Sequence, residues 1–199
     1  MSNSQSQPAA LDRRAFVKAL IERCPDALVV AGLGSATYDV FAAGDRPKNF
    51  YLWGAMGGAA AIGLGLAIAQ PAKQVMVITG DGEQLMGIGA LATIGAQSPK
   101  NLTIVVLDNG HYGETGMQRS HTSLGTNLAA VARACGIAHA FEGDSIEVIE
   151  KIFQTVSMST GPALAQVAIK AEDVPRALPS RDGVYIKNRF RAELGFAPL

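Results

Sequence analysis

Residues 74–110 read QVMVITGDGEQLMGIGALATIGAQSPKNLTIVVLDNG, and this stretch decides the fold. Two continuous apolar runs, Gln74–Thr79 and Leu102–Leu107, each end on oxygen-bearing side chains beside glycine: Gly80-Asp81-Gly82 and Asp108-Asn109-Gly110. Runs that are apolar at every position belong to strands covered on both faces. Between them, about Gln84 to Gln97, lies a segment of helical length. Strand, helix and strand of this kind form a parallel crossover, which sets the two strand ends side by side at one edge. Asp81 and Asn109, 28 residues apart, are thereby predicted to converge.

The same alternation continues outward. Upstream, Leu11–Arg23 has helical periodicity and is stopped by Pro25. Ala27–Ala31 reads as a short buried strand, Gly32–Thr37 (GLGSAT) as a glycine turn into a helix, and Asn49–Trp53 as a second strand. GAMGGAAAIGLGLAIAQ (residues 54–70) reads as a helix of small residues. It lacks the full GxGxxG pattern, so its glycines are assigned to close packing rather than to a dinucleotide. Downstream of a polar loop, His111–Thr126, come a helix (Leu128–Cys135), a strand near His139–Phe141, a helix (Ile146–Ser157) and a strand (Ala163–Ile169). The order predicts an α/β fold, a parallel sheet with helices on both faces. Residues 1–10 read as a disordered segment and 11–171 as one domain. Residues 172–199 read as a tail, either solvated or docking on a partner, with Arg176, Arg181, Lys187, Arg189 and Arg191 set around Val184, Tyr185, Ile186 and Phe190.

Composition narrows the function classes. Apolar residues are 48% of the 199, enough for a core, and 17 Lys+Arg balance 17 Asp+Glu. That balance lacks the basic footprint of a nucleic-acid binder. Cys24 and Cys135 lie far apart with no CxxC, which argues against a disulfide framework or a cysteine metal site. The N-terminus has no apolar h-region, and Ala55–Ala69 is too short and glycine-rich to span a bilayer. The expectation is a cytoplasmic chain.

A carboxylate and an amide oxygen at adjacent strand ends are hard ligands, too few for a complete cage. They suit Mg²⁺ that takes its remaining oxygens from water and phosphate. Gly82 and Glu83 open the following helix, whose free N–H groups favour an anion. The predicted ligand is a diphosphate bridged to the chain by Mg²⁺. Asp-Gly and Asn-Gly are each ordinary turn chemistry; the specificity lies in their joint spacing after two buried strands.

GDG followed by about 25 residues and then DN resembles the signature of thiamine diphosphate enzymes. FYLWGAMGGAAAIGLGLA (residues 50–67) is similar to the stretch that precedes it in their cofactor-binding domain. The resemblance runs from about Val29 to Ile169 and is nearest to the decarboxylases of phosphonopyruvate and sulfopyruvate. It implies that Asp81 and Asn109 bind Mg²⁺ through side chains and His111 through its backbone carbonyl. Gly82 and Glu83 would donate backbone N–H groups to the diphosphate, with Gly80 and Tyr112 beside them. The Gly54 carbonyl would accept from the aminopyrimidine amino group and the Met56 N–H would lie near its N3′, with Ala55 between. The Met56 side chain would wedge beneath the bent cofactor; its alternative role is core filler. Two positions depart from the pattern: Asp108 replaces the first asparagine of the usual pair, and Glu83 stands where Ser or Ala is common, its side chain expected to turn away.

The resemblance also implies a missing half. Members of this family draw a glutamate from a second, pyrimidine-binding domain, so the chain reads as a β-type subunit whose active site forms at an interface, in an α₂β₂ or larger assembly. The alternatives are the β subunit of a 2-oxoacid:ferredoxin oxidoreductase, another thiamine diphosphate carboligase or lyase, and a non-catalytic structural or regulatory subunit of the same fold. The polar loop after Asn109 holds Arg119 and His121, candidates to clamp a second anionic group of the substrate; His121 could instead supply a proton after CO₂ loss. Tyr112 and Gln118 are weaker candidates there.

Overall fold

The computed structural model describes residues 11–198; the disorder expected for residues 1–10 lies outside them. In chain order the elements are α1 (Arg13–Arg23), β1 (Leu28–Ala31), α2 (Ser35–Ala42), β2 (Asn49–Tyr51), α3 (Ala59–Ala69), β3 (Val75–Gly80), α4 (Asp81–Met86), α5 (Gly89–Gln97), β4 (Leu102–Asp108), β5 (His111–Tyr112), β6 (Gln118–Arg119), α6 (Leu128–Ala134), β7 (His139–Gly143), α7 (Val148–Met158), β8 (Ala163–Ala168) and α8 (Gly183–Glu193). Six strands form one sheet in the order β2-β1-β3-β4-β8-β7, every pair parallel, as the buried strand runs predict.

Two cores sandwich the sheet. On one face Phe16, Leu20, Val40 and Ile152 pack on Met76, Ile78, Val105 and Val167. On the other, Ala59, Leu64, Ile94 and Leu128 pack on Val77, Ile104 and Leu164. The small residues of α3 work as read: a Cβ at Gly63 would lie 2.2 Å from Val77 Cγ2, so the glycine lets the helix lie directly on β3. Among the described residues no helix is long and apolar enough to cross a membrane.

Three segments differ from the sequence reading. The helix expected over residues 84–97 begins earlier, at Asp81, and breaks after Met86 into α4 and α5. The break is steric in origin: Gly57 (φ +93°) and Gly87 lie back to back, and a Cβ on Gly87 would sit 2.1 Å from the Gly57 carbonyl oxygen. The polar loop is partly ordered, since β5 and β6 pair antiparallel within it. The tail ends in a helix. Ile186 joins one core and Phe190 the other, with the Phe190 ring edge-on to Phe50 at 5.7 Å, so α8 covers the β2 edge of the sheet.

Candidate active site

After β1 the chain turns outward to β2, and after β3 it turns the opposite way to β4. Such a reversal opens a crevice beyond the carboxyl ends of the strands. A cavity of about 230 Å³ lies here, walled by Leu33 after β1, Gly80 to Glu83 at the end of β3, and Asn109, His111 and Tyr112 after β4. Pairing of Gly80 with Leu107 sets Asp81 level with Asp108, with Asn109 one step further.

Asp81 is buried, and two hydroxyls hold it. Ser120 Oγ donates to its Oδ2, and Thr122 Oγ1 lies 3.1 Å from the same oxygen, its single proton shared with Asp108. Asp108 accepts from Thr122 Oγ1 (2.7 Å), Gln166 Nε2 (2.6 Å) and the Gly110 N–H (3.0 Å). Burial pushes the Asp81 carboxyl above its ordinary range, and the hydroxyl donors oppose this while the Asp108 charge adds to it. The sequence reading missed Ser120 and Thr122. Their signal was the hydroxyl density of RSHTSLGT, which carries no spacing that names a partner.

The Glu83 side chain does turn away from the cavity, into the protein. Its Oε2 accepts from the Leu33 N–H and from Thr79 Oγ1, both at 2.9 Å, tying the turn after β1 to α4. Gly32 makes room, since a Cβ there would sit 1.9 Å from that oxygen. Burial raises the Glu83 carboxyl too, against the lowering influence of these donors.

Asn109 folds back in an Asx turn, its Oδ1 accepting the His111 N–H at 2.9 Å, while His111 Nδ1 meets the Asn109 carbonyl at 2.8 Å. The Tyr112 ring covers Gly82, where a Cβ would come within 2.5 Å of it. A Cβ on Gly80 would meet nothing within 4 Å. Met56 lines the cavity at 39% exposure, so it is not core filler. Gly54 and Ala55 are exposed beside it without lining the cavity, and Ala55 holds a left-handed φ of +54°.

Arg119 and His121, the expected candidates for an anion clamp, are not among the residues that wall the cavity. Arg119 is exposed on β6 and spends its guanidinium on Ser123, through Oγ at 3.1 Å and the carbonyl. His121 is exposed. In the β5–β6 pair Arg119 stands opposite His111. Besides Asp81, the charged residues Arg13 and Glu114 line the cavity. Arg13 is buried with its Nε 2.7 Å from Asp39 Oδ2.

Comparison with known proteins bears on this constellation. The model of the thiamine pyrophosphate enzyme C-terminal, TPP-binding domain matches residues 34–167. The chain belongs to this family. Among thiamine pyrophosphate enzymes it falls with the decarboxylases. It is 41% identical over 140 residues to the sulfopyruvate decarboxylase subunit beta of Methanocaldococcus jannaschii, covering 70% of this chain and 73% of that one. It is 38% identical to the corresponding subunit of Methanococcus maripaludis, covering 90% of this chain and 96% of that one. Identity is also 38% to the phosphonopyruvate decarboxylase of Streptomyces viridochromogenes, where 90% of this chain spans only 45% of the relative. Benzoylformate decarboxylase from Polynucleobacter necessarius superimposes with a TM-score of 0.70 over 88% of this chain and 36% of that one, at 19% identity, which shows the shared fold.

Proposed function

We propose that this chain is the β-type subunit of a split, cytoplasmic thiamine diphosphate-dependent decarboxylase of the sulfopyruvate and phosphonopyruvate group, with residues 11–171 as the diphosphate and Mg²⁺-binding domain. One observation carries the reading: Asp81, Asn109 and the open backbone at Gly80 meet in one cavity at the switch point of a parallel sheet. The residues fit a metal-bound diphosphate. Both hydroxyls lie against the same Asp81 oxygen, which leaves Oδ1 for a cation, and the bare α-carbon of Gly80 admits phosphate oxygens close to the backbone.

In this reading Asp81, the Asn109 side chain and the His111 carbonyl hold Mg²⁺, and the Gly82 and Glu83 N–H groups meet the diphosphate. Met56 supports the cofactor from below, with the Gly54 carbonyl and Met56 N–H against its pyrimidine. Thiamine diphosphate, when bound, supplies the carbanionic centre and electron sink for cleavage of the carboxylate from a 2-oxo acid. Ser120 and Thr122 fix Asp81, and Glu83 fixes the turn that faces it. The glutamate for the pyrimidine comes from a separate subunit; relatives called beta subunits that match along most of their length support this.

Calorimetric titration of the purified chain tests the reading. Thiamine diphosphate should bind with Mg²⁺ and not with EDTA, and 2-oxo acid decarboxylation should appear only when the pyrimidine-binding subunit is added. Absence of Mg²⁺-dependent binding would refute the cofactor assignment, and robust turnover by the chain alone would refute the split.

A further inference from the structure

The cavity continues past Asn109. It shares Arg13, Ser35, Asn109, Gly113 and Glu114 with a more polar recess of about 210 Å³. The far wall of that recess is the segment after β8, residues 172–176, which the functional reading so far leaves without a role. Arg14 pins this segment by donating to the Pro175 carbonyl. Three guanidinium groups border the recess, and they differ in availability. Arg13 and Arg14 both face Asp39, which is buried, at 2.7 and 3.4 Å. Drawing either away would strand a buried carboxylate. Arg176 instead pairs with Glu114, Nη2 to Oε2 at 3.0 Å, with the two side chains 59% and 37% exposed.

A solvated pair of this kind contributes little net stability and is readily exchanged. Its geometry already shows what fits: a carboxylate oxygen stands against the guanidinium beside the recess, and the planar fork of arginine suits a sulfonate, phosphonate or carboxylate equally. Glu114 is held otherwise by a 3.3 Å contact with Ser35 Oγ and by packing against Gly34. The remaining acidic residues of the recess, Glu172 and Asp173, lie on the same segment as Arg176. They disfavour an anion that finds no cationic partner, and so sharpen the dependence on Arg176.

We infer that Arg176 receives the second anionic group of the substrate, and that the Glu114 carboxylate occupies its guanidinium until that group displaces it. The inference rests on the 2-oxo acid decarboxylase reading and deepens it by naming the residue that reads the second charge. It moves this role from Arg119, which is turned to Ser123, to a residue of the tail.

The test uses the assembled enzyme with sulfopyruvate, phosphonopyruvate, oxaloacetate and pyruvate as probes. In Arg176→Ala, kcat/KM for whichever dianionic acid the enzyme prefers should fall about ten- to hundredfold, mainly through KM. Pyruvate, which lacks the second charge, should change less than twofold. Arg176→Lys should recover part of the loss, because it restores the charge without the fork. Glu114→Gln should lower KM for the dianionic acid by removing the competitor. Equal losses for pyruvate and the dianionic acid, no loss for either, or a raised KM in Glu114→Gln would each overturn the inference. Calorimetry on the full chain separates this from the underlying reading. If wild type and Arg176→Ala bind Mg²⁺-thiamine diphosphate within twofold of each other yet Arg176→Ala does not discriminate, only the inference falls; if the wild-type chain binds no cofactor, the decarboxylase reading falls first.

Discussion

On the wall formed by β3 and α4, Asp81, Gly82, Glu83 and Gln84 are all buried, whereas on the facing wall residues 113–119 are exposed throughout. The first wall is set by close backbone approach and by carboxylates that accept from the Leu33 N–H and the Thr79, Ser120 and Thr122 hydroxyls. The second is held by the exposed Arg176–Glu114 pair and by the turn contacts of Arg119. Hydrogen bonds made in a buried, low-dielectric setting hold the groups they join, while solvated ion pairs exchange at little cost. The β3–α4 wall is therefore preorganised for an invariant ligand, and the hairpin and tail wall for one that comes and goes.

The largest effect that would sharpen this contrast is expected at Asp81. Asp81→Asn should weaken Mg²⁺-thiamine diphosphate binding at least a hundredfold by calorimetry, because it removes the carboxylate of a ligand set that has few protein oxygens. The same variant should be more stable without cofactor. The folded-state pKa of Asp81 is raised, so the native chain binds protons more tightly than the unfolded one and this group's contribution to stability falls as pH rises through the carboxylate range. At pH 7 the apo variant should melt above wild type, and the gap should close as pH is lowered; a lower melting temperature at pH 7 would contradict a buried charge at this position.

Gly32→Ala should come next. Its Cβ falls on Glu83 Oε2, so the lock between the turn after β1 and α4 must open. The expected cost is about 1–3 kcal/mol, read as a drop of roughly 2–4 °C in Tm per kcal/mol. A Tm equal to wild type would mean that the wall is pliable. Smaller again is the double variant Ser120→Ala/Thr122→Ala, which leaves every direct ligand in place. Outer-shell partners of this kind typically govern metal affinity by about tenfold or more, so Mg²⁺ affinity should fall by about that factor with little change in fold by circular dichroism. The smallest effect belongs to Arg119→Ala: less than twofold on cofactor affinity and on kcat/KM for any 2-oxo acid. A tenfold loss confined to dianionic acids would return the anion clamp to the hairpin and collapse the contrast between Arg119 and Arg176.

Much of the frame was legible because it rests on local chemistry. Val75–Gly80 and Leu102–Asp108 are apolar at nearly every position, and that alone implies a sheet covered on both faces and places Asp81 and Asn109 at neighbouring ends. The glycines of α3 were readable as packing residues for the same reason: no polar group or turn signal accompanies them. The break between α4 and α5 was not readable, because Gly87 is required by the carbonyl of Gly57, thirty positions away. Nor were the partners of the two buried carboxylates. A serine or threonine donates equally well to water or to a nearby backbone carbonyl, and only the return of the hairpin over β3 brings Ser120 and Thr122 to Asp81. The arginines show the same limit. Sequence proximity to Asn109 favoured Arg119, yet its guanidinium is turned to Ser123, while the path of the chain from β8 to α8 brings Arg176 to Glu114. Periodicity and turn chemistry, acting over a few residues, determined the strands of the main sheet and most of the helices that cover it; which long polar side chains face the cavity was decided by non-local contacts, whose energies depend on burial that no single segment carries.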